Sequence, residues 1–329
     1  MINALLKPFL CTMVVSACTA FLPAHANTID QPLKILVGYP AGGGLDTATR
    51  ALADQLRQMN AGSSIVVENR PGGGSLIAAE VLANSKGDGT TLMVAPITVV
   101  AVHPFVFKKL SFDPLNDLVP VAYLGEFRYG LAVNNSVSAR NVSEFIPWVK
   151  ARPKSVSFAS LGTGSFAQLL GVLFNRSVGT DMVEVPYKGS APGLMDLRGG
   201  QVQATFDTVA SMAEQHRGNA IRLLAVTGNQ RSPLLPNVPT FKEAGLNLGD
   251  IETSEFWYGV FAPKGTPPAV VAKLNAAVNE ALRAQQLRTR LESLDITPQA
   301  KSVADFTAQT RSDNQRWGKI IRESGLKFE

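Results

Sequence analysis

The residues best suited to act on another molecule form the run Gly42-Gly43-Gly44, set between Lys34-Ile35-Leu36-Val37 and Leu45-Asp46. Ile35–Val37 reads as a buried strand. Leu45, Ala48, Leu52, Leu56 and Met59 recur at the three-to-four spacing of one helical face, so the stretch predicts strand, glycine turn, helix. Glycines remove side chains where the backbone turns sharply. Free backbone N–H groups and the positive end of the helix then point beyond the strand end. The chemistry of such a cradle is anion binding, and a small carboxylate is its simplest guest. It is half of a site, and the other half must come from elsewhere in the chain.

Other chemistries fit less well. Gly42-x-Gly44 after a strand, with Glu68 ending the next one, imitates a dinucleotide fingerprint, but Thr47 stands where the third glycine belongs. Neither Ser75 nor Ser165 has the glycine two residues on that a nucleophile elbow requires. Beyond residue 26 only His103 and His216 could serve as a base, and neither has a triad context. No His, Asp and Glu cluster has metal-ligand spacing. The chain is therefore expected to be neither an enzyme nor a metalloprotein, and to need no cofactor.

The elements that must position the cradle follow from composition and patterning. The chain has 329 residues, 45% apolar and 17% charged, enough for two globular domains. Lys7, the apolar run Phe9–Leu22 and Ala24-His25-Ala26 read as an export signal cleaved near Asn27, which places the mature protein in the periplasm. Val15-Ser16-Ala17-Cys18 offers a competing lipobox, with Cys18 as a membrane anchor. Both cysteines, Cys11 and Cys18, lie in this segment, so a cleaved chain has no disulfide and no thiol. Loss of Lys7 lowers the formal charge of +5 by one. So mild and dispersed an excess suits anionic solutes and argues against nucleic acid.

Strands are expected at 64–68 and 91–95, with a second glycine turn, Asn69-Arg70-Pro71-Gly72-Gly73-Gly74, and a helix at 75–83 between them. Residues 96–104 read as a loop, 105–120 as irregular, and 121–133 as one extended segment. A second unit then begins, with a helix at 143–152 and a strand at 156–159. Ser160-Leu161-Gly162-Thr163-Gly164-Ser165 turns into a helix carrying Phe166, Leu169, Leu170, Leu173 and Phe174. Strands at 182–186, 201–206 and 222–226 alternate with helices at 191–198 and 212–218. A strand at 256–262 precedes helices at 267–284, 285–293 and 303–324. This alternation predicts parallel sheets covered by helices. Ligands of such sheets bind beyond the carboxyl ends of the strands. Two units facing each other, crossed near Glu126–Arg128 and again near Thr253–Phe256, can close on a ligand about a two-strand hinge. The expected domains are 27–127 with 254–329, and 128–253.

Four stretches resemble one family: Val37-Gly38-Tyr39-Pro40-Ala41-Gly42-Gly43-Gly44-Leu45-Asp46; Val67-Glu68-Asn69-Arg70-Pro71-Gly72-Gly73-Gly74; Val185-Pro186-Tyr187-Lys188-Gly189-Ser190-Ala191-Pro192; and Gly200-Gln201-Val202 with Phe206-Asp207. In this order, from about residue 32 to the C-terminus, they resemble the Bug-type receptors, extracytoplasmic solute-binding proteins of tripartite tricarboxylate transport systems. The resemblance implies an α/β, two-domain, type II periplasmic-binding-protein fold with the ligand cleft between domains. It implies capture of a small carboxylate for membrane permease subunits, by a monomer. A receptor feeding a sensor kinase would use the same pocket.

The resemblance carries the family's site onto Ala41, Gly42, Gly43, Gly44, Leu45 and Asp46, onto Thr98 after the third strand, onto Gly162, Thr163, Gly164 and Ser165, and onto Asp207. Ser165 can cap its helix and face the ligand at once. Asp207 fits the site or a loop-holding role, and Tyr187 fits site or core. Gly72–Gly74 reads as a structural turn pinned by Asn69 and Arg70. Arg128 reads as a solvated hinge arginine, His103 and His216 as structural or exposed, and Trp257 as hinge or core. Two departures bear on the ligand. Val99-Val100 replaces a frequent Thr-His pair, and Gln168 stands where a His is frequent. Loss of those polar groups favours a monocarboxylate with an apolar or aromatic body over a compact diacid.

Overall fold

A computed structural model describes residues 31–60, 63–248, 251–254 and 256–324. The export signal, the Ala24-His25-Ala26 site and Cys18 lie outside the described residues.

The strands are β1 (Leu33–Val37), β2 (Ile65–Asn69), β3 (Thr91–Pro96), β4 (Leu118–Phe127), β5 (Tyr129–Val133), β6 (Ser157–Ser160), β7 (Val183–Pro186), β8 (Ala204–Thr208), β9 (Arg222–Val226), β10 (Phe256–Pro263) and β11 (Thr297–Pro298). The helices are α1 (Gly44–Met59), α2 (Leu76–Ala83), α3 (Thr98–Ala101), α4 (His103–Val106), α5 (Val142–Lys150), α6 (Phe166–Val178), α7 (Ser190–Gly199), α8 (Val209–Arg217), α9 (Pro268–Ala281), α10 (Gln285–Glu292) and α11 (Val303–Ser324).

The strands form two mixed sheets, in the orders β11-β4-β10-β3-β1-β2 and β7-β6-β8-β5-β9. The two follow one plan. In each, the first strand of the unit lies between its second and third, all parallel, with pairs such as Val37↔Asn69, Val37↔Val94 and Phe158↔Glu184. In each, the strand arriving from the other sheet inserts antiparallel beside the third. These are β10 (Val260↔Val94) and β5 (Leu131↔Phe206). The duplication invisible as a sequence repeat is thus explicit in topology.

The chain passes between sheets at Arg128 and again just before Phe256. The single extended segment expected at 121–133 is two strands, broken at Arg128 because each half pairs in a different sheet. The loop expected at 96–104 is also corrected. It folds into α3 and α4, because Val99, Val100, Ala101 and Val102 are fully buried and a buried backbone must satisfy its own polar groups. Strand β8 ends two residues later than patterning suggests, and α8 starts three residues earlier. Both shifts bear on the site.

An aromatic chain carries the core from one sheet unit to the other. Phe127 stacks on Tyr258 (centroids 4.1 Å), Tyr129 meets Phe256 edge-on (5.0 Å), and Phe166 meets Trp317 of α11 edge-on (4.6 Å). Trp257 is core: it is fully buried, and its Nε1 donates to Asp313 Oδ2 at 2.8 Å.

Candidate functional site

The glycine loop leaves β1 at its carboxyl end and enters α1. Gly42 sits at φ 86°, and its N–H donates to Asp46 Oδ2 at 2.8 Å. Asn69 Nδ2 donates to Asp46 Oδ1 (2.8 Å) and to the Tyr39 carbonyl (2.9 Å), and Arg50 Nε donates to Asp46 Oδ2 (3.0 Å). Burial alone would raise the Asp46 carboxyl, but the bonds from Arg50, Gly42 and Asn69 hold it below the usual carboxylate range. Asp46 therefore clamps the loop from behind. No side chain caps α1, whose N-cap is Gly43, so its first-turn N–H groups remain open to a guest.

In front of the loop lies a cavity of about 240 Å³ shared by both sheet units. Ala41, Gly42, Gly43, Gly44 and Leu45 line one side. From the second unit come residues 188–192, which hold the start of α7, together with Thr208 and Ser211 at the start of α8. Neither α7 (N-cap Gly189) nor α8 (N-cap Thr208) has a side-chain cap. Three helix N-termini without side-chain caps thus border one cavity; the Val209 N–H of α8 donates to the Arg128 carbonyl at 2.9 Å, and a carboxylate can supply an acceptor for donors that remain.

Hydroxyls reinforce this. Ser211 Oγ donates to Ser190 Oγ (3.1 Å) and lies 2.9 Å from Thr208 Oγ1, while Ser190 Oγ donates to Asp207 Oδ1 (2.9 Å). Asp207, fully enclosed behind them, also accepts from the Thr208 N–H at 2.6 Å. Burial lifts its carboxyl to about 7, against the pull of bonds from Ser190, Thr208 and Ser211. The remaining walls are mostly apolar: Tyr39, Tyr129 and Tyr258, with Pro40, Pro96, Leu161 and Leu194. Lys188, which is exposed, sits among the lining residues as the only cation.

The structure separates the residues nominated from sequence. Ala41, Gly42, Gly43, Gly44 and Leu45 line the cavity, whereas Asp46 faces away from it and Asp207 lies one layer behind. Gly162, Thr163 and Tyr187 line an adjoining hollow of about 200 Å³. Gly164 and Ser165 line neither space. The Gly164 N–H donates to Gln168 Oε1 (2.7 Å), Ser165 Oγ accepts from the Gln168 N–H (3.3 Å), and Gln168 Nε2 donates to Glu184 Oε2 (2.7 Å). The α6 terminus is thus capped by a side chain from within its own unit. Thr98 is fully buried in α3, away from both spaces, and its hydroxyl has no partner among the described residues.

Sequence reading missed Ser190, Thr208, Ser211, Tyr129 and Tyr258 as lining residues. A usable signal existed for the first. In Gly189-Ser190-Ala191-Pro192, a glycine precedes a helix with proline in its first turn, a common helix start.

Arg128 is only partly solvated, with 19% of its side chain exposed. Its Nη1 pairs with buried Asp295 at 3.2 Å, and its Nε donates to the Gln230 carbonyl at 3.3 Å. His216 is structural, its Nδ1 accepting from the Leu223 N–H at 3.2 Å. His103 is fully buried between Phe107 and Gly164 of the second unit, with neither ring nitrogen partnered among the described residues. Burial drops it to about 3.

These two buried groups set opposite pH dependences. Asp207, raised from 3.8 to about 7, contributes stability that is complete below about pH 4 and is lost as pH rises to about 7. His103, lowered from 6.5 to about 3, contributes stability present above pH 6.5 and lost as pH falls. Each slope is about 1.4 kcal/mol per pH unit, so the two cancel where they overlap. Between about pH 4 and 6.5, Asp207→Asn should make unfolding free energy rise with pH, and His103→Gln should make it fall. Denaturant titrations over that range, with wild type and both variants running parallel, would refute the assignment.

Comparison with known proteins shows the family to which the chain belongs. A family model described as "Tripartite tricarboxylate transporter family receptor" matches residues 48–326. Protein BugT of Bordetella pertussis is 34% identical over 309 residues, covering 93% of this chain and 94% of its own length. Among solved structures, "R. palustris Rpa4515 with adipate" superposes with a TM-score of 0.85 at 30% identity, covering 91% of this chain and 99% of the other. "MatC (Rpa3494) from Rhodopseudomonas palustris with bound malate" gives 0.83 at 30% identity, covering 89% and 99%.

Proposed function

This chain belongs to the tripartite tricarboxylate transporter receptor family and is a solute-binding protein of the carboxylate-binding kind; on that premise we propose that its ligand is a monocarboxylate with an apolar or aromatic body. One observation carries the reading: three helix N-termini without side-chain caps and a file of neutral hydroxyls border a cavity whose remaining wall is mostly tyrosine, proline and leucine, with Gln215 and the exposed Lys188 its other polar lining. Such a wall offers one end of the cavity to an anion and the rest to apolar surface. A compact diacid needs donors at both ends. The adipate and malate held by the two similar structures share the carboxylate, while the body of the ligand follows from this chain's own lining.

The proposed mechanism is capture without catalysis. The ligand meets the α1 loop, and the second domain (128–253) swings over it about the crossings near Arg128 and Phe256. The first domain comprises 27–127 and 254–329. Closure adds the α7 and α8 termini, Ser190, Ser211 and ordered water. The exported, monomeric receptor then presents the closed form to permease subunits. Once the ligand is buried, affinity should depend weakly on salt, while the association rate falls with salt.

Calorimetry across a panel of acids tests this. Benzoate and related monocarboxylates should bind at least ~10-fold more tightly than malate, a difference of about 1.4 kcal/mol. Tight malate binding with no binding of aromatic acids would overturn the proposal.

A further inference from the structure

Behind the first glycine loop, outside the ligand cavity, α1 and α10 flank an open groove of about 710 Å³. Gln55 and Gln58 reach it from α1, and Gln286, Thr289 and Arg290 from α10. Its charges pair off with one exception. Arg50 pairs with Asp46, and Asp54 with Arg57. The Arg290 guanidinium is exposed and has no carboxylate partner among the described residues. A carboxylate on another molecule is the complement left open. A lining of amides and hydroxyls, hydrated when free, suits a partner that docks and departs, as transient interfaces are more polar than permanent ones.

Each side of the groove is joined to the ligand site. Gly42 lines the groove and the ligand cavity alike, and its N–H donates to Asp46 on the α1 side. On the α10 side the groove ends at Ser293. Just beyond, Leu294 and Ile296 share a small hollow with Thr208 and Ala210 of the second unit. Asp295, between them, accepts from Ser232 of that unit at 2.6 Å and pairs with Arg128 at the crossing. When the units separate, Thr208, Ala210 and Ser232 leave this turn, and the end of α10 loses the contacts that fix it. The groove therefore has its present shape only while the units are together.

We propose that the α1–α10 groove is the docking surface for an acidic segment of the transporter's membrane subunits, with Arg290 receiving its carboxylate, and that it binds them best when the two units are closed. The inference rests on membership of the receptor family and holds whether the ligand is a monocarboxylate or a diacid.

A closed receptor can be made without any ligand. A Cβ on Gly44 would stand 3.7 Å from Ala210 Cβ of the second unit, within the separation of about 3.5–4.5 Å that disulfides span. The chain has no cysteine beyond Cys18, so Gly44→Cys with Ala210→Cys forms one defined bridge. The purified receptor, oxidised or reduced, is titrated onto right-side-out membrane vesicles from the host and from a strain lacking the membrane-subunit genes. The oxidised form should bind vesicles that carry the subunits at least ~10-fold more tightly than those without them, and at least ~3-fold more tightly than the reduced form does. Arg290→Glu in the locked receptor should lose at least ~10-fold, because it sets a carboxylate against a carboxylate. Lys319→Glu, at a site 75% exposed on α11, should bind like its locked parent. Melting temperatures within about 3 °C of the locked parent report that both variants are folded. Unchanged binding by Arg290→Glu, an equal loss in Lys319→Glu, binding that survives deletion of the subunit genes, or no binding to either membrane would overturn the docking surface. Equal binding by oxidised and reduced receptor would overturn its preference for the closed form.

Discussion

Gly44→Phe is expected to lower affinity for the tightest-binding carboxylate at least ~100-fold, about 2.7 kcal/mol, while leaving the protein folded. Gly44 opens α1 and lines the cavity, and a Cβ there would stand 3.7 Å from both Ala210 Cβ and Thr208 Oγ1 of the opposite unit. That is ordinary contact, and the backbone angle at Gly44 is open to any residue, so Gly44→Ala should bind within about fivefold of wild type. A phenylalanine ring has only the cavity of about 240 Å³ or the gap between the units to occupy. Either choice excludes the ligand or blocks closure. Neither touches the buried face of α1, formed by Ala48, Leu52 and Leu56, so the melting temperature should move by no more than about 3 °C. Calorimetry paired with thermal melts separates the two effects. Wild-type affinity in the phenylalanine variant would place the α1 loop outside the site.

The second large effect concerns stability. Arg128→Ala should cost about 2–4 kcal/mol, because it strands a buried carboxylate. Asp295 has only 1% of its side chain exposed, against 19% for Arg128, and its Oδ2 has no partner among the described residues. Burial raises its carboxyl despite Arg128 and the bond from Ser232 Oγ at 2.6 Å. Without the guanidinium the charge is uncompensated. Asp295→Asn in the same chain should restore at least half of the loss, since a neutral amide needs no counter-charge. The pair also ties Arg128, at the crossing between sheets, to the turn before β11, and Ser232 brings the second unit to the same carboxylate. The single variant should therefore also release ligand faster. Denaturant unfolding of both single variants and the double settles the coupling, and additive losses would refute it.

Much of the fold was readable because its signals are local. Leu45, Ala48, Leu52 and Leu56 announce α1 by spacing, and all are buried. The helix expected at 143–152 is α5, whose start one residue earlier is fixed by Asn141, its side chain accepting from the Glu144 N–H at 2.9 Å. The misreadings share a cause: tertiary burial overrode local pattern. Residues 96–104 look like a loop after a strand, but the fully buried apolar run Val99–Val102 within them had to form hydrogen bonds internally. Arg128 looks like a surface arginine because its partner Asp295 is 167 residues away.

Of the site, the sequence by itself determined the first cradle. A strand, three glycines and an amphipathic helix specify a turn that leaves its helix N-terminus without a side-chain cap, through bonds made within ten residues, the Gly42 N–H to Asp46 among them. Which helix completes it from the second unit was decided only by the tertiary structure. Patterning pointed to α6, whose glycine turn looks most like the first. In the fold, Ser165 caps that terminus from inside, while α7 and α8, without side-chain caps, border the cavity. Capping of α6 is local, but the facing of α7 and α8 depends on how two sheets pack across a crossing at Arg128, and no short-range pattern encodes that angle.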